Sequence, residues 1–236
     1  MLDQLKPVDN RRLYQQIADQ IRTFIDKGSY IAGMRLPPER DLAQQLGVSR
    51  PSVREALIAL EIEGSVEVRM GAGVYVCNAA QRKPQALAAM GESPIELMQA
   101  RAAIEGTVIQ LACARVTPQA LAALRQILDN MLAAVAQDRS PLVFDRQFHQ
   151  TIAAMTSNAV LERIVGELFD ERHSPIAARV SAHSETGQTW AIALQEHEAI
   201  LRALENRDVL AAQTALRMHL LASEQRWVEN NGREWS

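Results

Sequence analysis

Apolar residues recur at helical spacing near the start of the chain. Leu13, Ile17, Ile21 and Phe24 predict one amphipathic helix from about Arg11 to Lys27. Gly28 stops it, and Ala32-Gly33 and Pro37-Pro38 mark a loop. A short second helix follows, with Leu42, Ala43 and Leu46 inward and Gly47 at its end. Ser49 is an N-cap for a third helix, Pro51 falls in its first turn, and Val53, Leu57 and Leu60 form its inward stripe. After Gly64 the period changes to two: Val66 and Val68 alternate with Glu67 and Arg69. A Met70-Gly71-Ala72-Gly73 turn then leads into Val74-Tyr75-Val76, the pattern of a hairpin.

From about Asn78 to Gly91 the chain is rich in Ala and Gln and without periodicity, which predicts a linker. Everything beyond is helical in period, with helices expected over about 94–115, 118–137, 140–156, 158–180, 188–206 and 207–230. Thr117-Pro118 and Ser140-Pro141 are cap-then-proline starts. The fold class is therefore mainly α. Three helices and a hairpin fill residues 1–78, a linker 79–93, and an all-α bundle 94–236.

Composition narrows the function. A length of 236 residues favours two domains, and 47% hydrophobic with 22% charged residues is the balance of a soluble globular protein. MLDQLKPVDN lacks the form of a signal peptide, and no apolar run approaches the roughly 20 residues of a membrane span. Cys77 and Cys113 offer neither a metal spacing nor a disulfide framework, so a reducing cytoplasm is expected. With a net charge of −3, any contact with nucleic acid must come from a local patch.

Such a patch exists. Two short helices joined by a tight turn form a helix-turn-helix, and the first turns of its second helix carry Ser49, Arg50, Ser52 and Arg54 on the face read as exposed. An arginine fork can hold guanine or phosphate in two contacts. Arg35 and Arg40 lie just upstream, so residues 35–54 hold four arginines against Glu39 and Asp41. Gly71 and Gly73 at the hairpin tip permit close approach to a phosphate or the minor groove. The alternative is a three-helix core whose arginines are a solvated face.

The strings LPPERDLAQQLGVSRPSVREAL from Leu36 and LEIEGSVEVRMGAGV from Leu60 resemble the winged-helix domain of GntR-family transcription regulators, over nearly all of residues 11–78. The resemblance implies operator contacts by Arg40 of the P-x-E-R motif, by Ser49, Arg50, Ser52 and Arg54, and by the wing glycine Gly71. Pro51 stands where many members carry Thr or Ser, which removes one hydroxyl contact.

The five histidines all lie beyond residue 140. Asp145 and His149 share a helix face at i, i+4, beside Phe144, Phe148, Ile152 and Met155. His197 and His219 sit on apolar faces of two further helices. Three nitrogens and one oxygen would suit a divalent ion, zinc first, nickel or manganese next. Hydrogen-bonded core histidines are the alternative. PIELMQARAAIE from Pro94, with the motifs D-x-x-x-H, E-H-x-x-I and M-H, resembles the helical effector domain of the FadR-type GntR branch. That resemblance implies a metal on Asp145, His149, His197 and His219, with open positions for a ligand's carboxylate. It also implies that Arg101 points into the same pocket and pairs with the carboxylate, the alternative being an Arg101–Glu105 surface pair. Arg179, His183 and Trp190, with His173, lie in a stretch expected to border the pocket, and each reads equally as plain surface. Runs from Arg11, Leu60 and Ser93 are similar to regulators of hexuronate use, implying a sugar acid.

The resulting expectation is a homodimeric one-component regulator that represses an operator and releases it when a small carboxylate binds. A helical metallohydrolase fused to a DNA-binding module is one alternative; it lacks a placed general base, since Glu196 and Glu198 merely flank His197. A purely structural metal is the other.

Overall fold

The computed structural model describes residues 12–69, 71–78, 80 and 90–232, with the backbone alone for 183 and 228–232. It comprises two units, one ending at Ser93 and the other beginning at Pro94. The mainly α architecture holds: a winged helix-turn-helix, then an all-α bundle.

In the first unit, α1 (Leu13–Asp26), α2 (Glu39–Leu46) and α3 (Arg50–Glu63) precede the antiparallel pair β1 (Val66–Arg69) and β2 (Gly73–Val76). Gly47 ends α2 in the left-handed region at φ 68°. Two residues later the Ser49 hydroxyl accepts from the Ser52 amide and starts α3. This tight punctuation makes the helix-turn-helix. In the ribbon Val66 pairs with Val76 and Val68 with Val74. The core joins Ile17 and Ile21 of α1 to Val53, Leu57 and Leu60 of α3 and to Val66, Val74 and Val76. Of the expected α1 stripe, Ile17 and Ile21 are buried but Leu13 and Phe24 are 47% and 45% exposed, and Tyr14, Ala18 and Ile25 complete the buried face. Positions 14, 17, 18, 21 and 25 share one face at 3.6 residues per turn, and Phe24 lies at the edge of that face in the last turn of the helix. The end of the expected linker packs on this unit. Met90 is buried, the Tyr14 hydroxyl donates to the Gly91 carbonyl at 2.9 Å, and Ser93 Oγ donates to Glu55 at 2.8 Å.

The second unit runs α4 (Pro94–Cys113), α5 (Pro118–Ala136), α6 (Leu142–Met155), α7 (Ala159–Asp170), a 3-10 turn (Glu171–His173), α8 (Pro175–Ser184), α9 (Gly187–Glu205) and α10 (Val209–Gly232). α4 packs against α10, α6 and α7, and α9 packs against α10 and α5. The single helix expected over 158–180 is instead two helices joined by the 3-10 turn. Pro175 disfavours helical geometry at the residue before it, and Ser174 is extended at φ −61°, ψ 151°. The break turns Arg172 inward, where it is 8% exposed. Among the described residues no helix is long and apolar enough to cross a membrane.

Candidate metal centre and nucleic-acid face

Three helices of the second unit bring four donors together. α6 carries Asp145 and His149, one turn apart; α9 carries His197, and α10 carries His219. All four are buried, and one ligand atom from each lies within 4.8 Å of the others. Asp145 Oδ1 is 3.0 Å from His197 Nε2 and 3.5 Å from His149 Nε2. None of these three atoms is aligned for a hydrogen bond, and all are buried. Atoms bound at about 2.0–2.2 Å to one ion stand roughly 3.0–3.5 Å apart, so close approach without alignment is what a shared cation would satisfy. Left without one, three buried polar atoms would each carry a desolvation cost.

Each histidine is oriented from behind. His149 Nδ1 meets Glu105 Oε2 at 2.5 Å, His197 Nδ1 meets the Ala193 carbonyl at 2.7 Å, and His219 Nδ1 meets Glu196 Oε2 at 2.7 Å. These acceptors assign the proton to Nδ1 and leave the Nε2 lone pairs facing the centre. The two carboxylates are themselves held. Arg101 Nε donates to Glu105 at 2.7 Å, and Arg226 donates to both oxygens of Glu196 at 2.7 and 3.0 Å. Burial pushes the Glu105 carboxyl up, but Arg101 and His149 outweigh it and hold it at about 2. Glu196 is likewise held at about 2, with His219 and Arg226 overriding its burial. Asp145 is buried too, yet His149 and His197 keep it well below the usual carboxylate range. Burial, then the neighbouring His197, lowers His219 to about 3, a neutral ring fit to ligate. His149 goes the other way: burial pulls it down, and Glu105 and Asp145 raise it further than that.

The cluster opens onto a cavity of about 30 Å³, lined by Asp145, His219, Arg172, Glu185, Trp190 and Trp227 among others. Trp190, one of the residues expected to border a pocket, is therefore at the cavity. Arg179 lies on α8, half-buried, and is not among the residues lining the cavity. The side chain of His183 lies outside those described, and His173 is exposed with Nδ1 at 3.1 Å from the Asp170 carbonyl. Arg101 does pair with Glu105, but not at the surface: it is 0% exposed, stacks over Phe169 at 4.8 Å, and its buried Nη2 has no partner. The structure adds residues that sequence reasoning did not find. Glu105 and Glu196 stand behind the histidines, and Arg172 bridges Asp145 Oδ2, at 3.3 Å, and Glu185. Ser174-Pro175, the same kind of signal as Thr117-Pro118, marks the turn that brings Arg172 in.

In the first unit, Arg40 is 81% exposed beside Asp41, Arg50 is 59% exposed, and Arg35 and Gly71 are exposed as well. Ser49 and Ser52 bond to each other at 2.8 Å at the start of α3. Arg54 departs from expectation: it is not on the exposed face. Its Nε and Nη2 both donate to the buried Glu39 carboxylate, at 2.8 and 3.0 Å. Glu39 also accepts from Arg50 Nε at 3.0 Å, so one acid positions two arginines. In the wing, Arg35 lies so close to Gly73 that a Cβ there would stand 2.4 Å from its Nε.

Residues 13–76 match the family profile of bacterial regulatory proteins, gntR family, and residues 96–222 match that of the FCD domain. The chain is 38% identical over 217 residues to the Exu regulon transcriptional regulator of Escherichia coli (strain K12), covering 89% of this chain and 82% of that protein. It is 37% identical over 227 residues to the Uxu operon transcriptional regulator of the same strain, covering 93% and 88%. Among solved structures, E. coli McbR/YncC aligns with a TM-score of 0.51 at 20% identity, over 93% of this chain and 98% of that one, a likeness of fold alone.

Proposed function

The chain belongs to the GntR family of bacterial regulators, with an FCD domain behind its DNA-binding unit, and from that premise we propose that it is a homodimeric repressor of hexuronate-use genes, released by a hexuronate. The relatives' names, Exu regulon and Uxu operon regulators, support the ligand class. The observation that carries the sensor reading is the convergence of four buried donors, three of their atoms without hydrogen-bond partners, beside a cavity. Asp145, His149, His197 and His219 would hold a divalent ion, zinc by donor type. The ion supplies a Lewis-acidic position for the ligand's carboxylate. Arg101, fully buried and not among the residues lining the cavity, keeps Glu105 charged, and Glu105 orients His149. Trp190 offers an apolar wall at the cavity; Arg179, which does not line it, is left out of the proposed site, and His183 is kept as a proposed contact for a sugar hydroxyl.

On the DNA side, Arg35, Arg40, Ser49, Arg50, Ser52 and Gly71 are the proposed operator contacts, with Arg54 acting through Glu39. A hexuronate must bind the DNA-incompetent arrangement more tightly, since equal affinity for both would shift nothing. Reading the site as hydrolytic has less support. Glu196, the acid beside His197, is taken by His219 and Arg226 and is not free as a base. The test is a thermal melt of zinc-loaded protein with galacturonate or glucuronate, alongside operator binding by fluorescence anisotropy. At about 100 times Kd a ligand adds about 2.7 kcal/mol of stability. A shift lost on chelation, together with operator release, supports the reading. An undiminished shift in metal-stripped protein overturns it.

A further inference from the structure

The cavity in front of the metal centre holds about two waters, whereas pockets for small ligands run to roughly 300–1,000 Å³. A cavity of this size has no room for a sugar acid as it stands, and Arg172 and Glu185 are among the residues that line it. Arg172 donates through Nη1 to Asp145 Oδ2 and through Nη2 to Glu185 Oε1, and its Nε, buried, has no partner. The guanidinium lies over the rings of Phe169 and Trp227, 5.0 and 5.1 Å from their centroids. It is thus a fixed cation beside a candidate metal ligand, and the group filling its outward side is the carboxylate of Glu185. Glu185 ends α8 in an extended conformation, one residue before Thr186 caps α9. Moving its side chain away asks for adjustment of one short connection and no helix.

We propose that Glu185 is a built-in stand-in for the effector: its carboxylate occupies Arg172 in the ligand-free protein, and the carboxylate of the incoming acid displaces it, opening the cavity at the α8–α9 junction. The inference rests on the reading of this site as a carboxylate receptor. The chemistry is an exchange of one carboxylate for another on the same guanidinium, so the Nη2 of Arg172 is never left without an acceptor while Nη1 keeps Asp145. An uncharged sugar cannot make the exchange. This gives a reason for acid over neutral sugar that is separate from the metal.

The test uses the zinc-loaded full-length chain and the fluorescence of Trp190 and Trp227, which both line the cavity. Galacturonate, galactose and acetate are the probes, the last reporting the bare carboxylate position. Glu185→Gln, with Glu185→Ala as a second variant, should tighten galacturonate and acetate by about fivefold or more, leaving zinc affinity within about twofold of wild type. Arg172→Gln should weaken both by about tenfold or more, and the double variant should behave as Arg172→Gln alone. Acetate responding in this pattern while galacturonate fails to bind would uphold the stand-in and remove the sugar acid. Galacturonate binding to wild type with no gain, or a loss, in both Glu185 variants would overturn the stand-in and leave the receptor reading intact. No response to either acid in any variant overturns both.

Discussion

Glu105 is the most exposed point of this reasoning, because it touches no ligand and yet is asked to do two things. Consider Glu105→Gln. The side chain keeps its shape and can still accept from His149, but Arg101 loses its counter-charge while 0% exposed. Breaking a buried ion pair on one side costs about 3–5 kcal/mol. A second route agrees. The carboxyl sits at about 2 against an ordinary 4.5, and at 1.36 kcal/mol per pH unit this comes to about 3 kcal/mol. At about 2–4 °C per kcal/mol, the melting midpoint of the effector unit should fall by about 6–12 °C at pH 7 in metal-free protein, followed by tryptophan fluorescence. The sign with pH is fixed. The folded value is depressed, so the contribution is present above 4.5 and is lost as pH falls toward 2, and the gap between variant and wild type must narrow in that window. Zinc affinity should drop about 10–100-fold, as for other residues that orient a ligating histidine. A variant melting within about 2 °C of wild type, with full zinc affinity, would remove Glu105 from the site.

Three further outcomes follow from the same geometry. His197→Ala should abolish tight zinc binding, read by chelator competition, while the DNA-binding unit keeps its own melt; one zinc bound as before would displace the centre from these residues. Arg50→Ala should weaken operator binding by about 1–3 kcal/mol in anisotropy titrations if it reads a base edge, whereas uniform weakening across sequences would make it a phosphate contact. Gly73→Ala should destabilise the wing by about 1 kcal/mol, because φ is 105°, and should push Arg35 aside. If operator affinity survives that substitution, Arg35 makes no contact with DNA.

Local signals carried most of the fold. Gly47, Ser49 and Pro51 in close succession specify a turn between two helices, and the valines of β1 and β2 alternate as a ribbon must. Asp145 and His149 were legible as a pair because one turn of one helix sets their spacing. What joins them to His197 and His219 is the packing of α6, α9 and α10, which no local pattern encodes; the histidines were recognisable as apolar-face oddities and gained meaning from resemblance. The groups behind them were hidden for a related reason. Glu105 reaches His149 across 44 residues, and Glu196 reaches His219 across 23. Arg54 was misplaced because its burial depends on Glu39, 15 positions away on another helix. Arg172 comes inward at the break before Pro175, where a proline inside a helical pattern is the local signal.

The pairing of Glu39 with Arg54 bears on how the protein meets DNA at all. Each phosphate a protein neutralises expels condensed counterions, and the logarithm of affinity falls with the logarithm of salt at about 0.9 per phosphate. With Arg54 held by Glu39, Arg35, Arg40 and Arg50 are left of the four arginines between residues 35 and 54, and were all three to meet phosphate the slope would be about −3 for a DNA-binding unit. On a chain of net charge −3 this is a weak grip on random sequence. A protein with so weak an electrostatic hold gains little from lingering on nonspecific DNA, so its occupancy of an operator would have to rest on base-edge contacts.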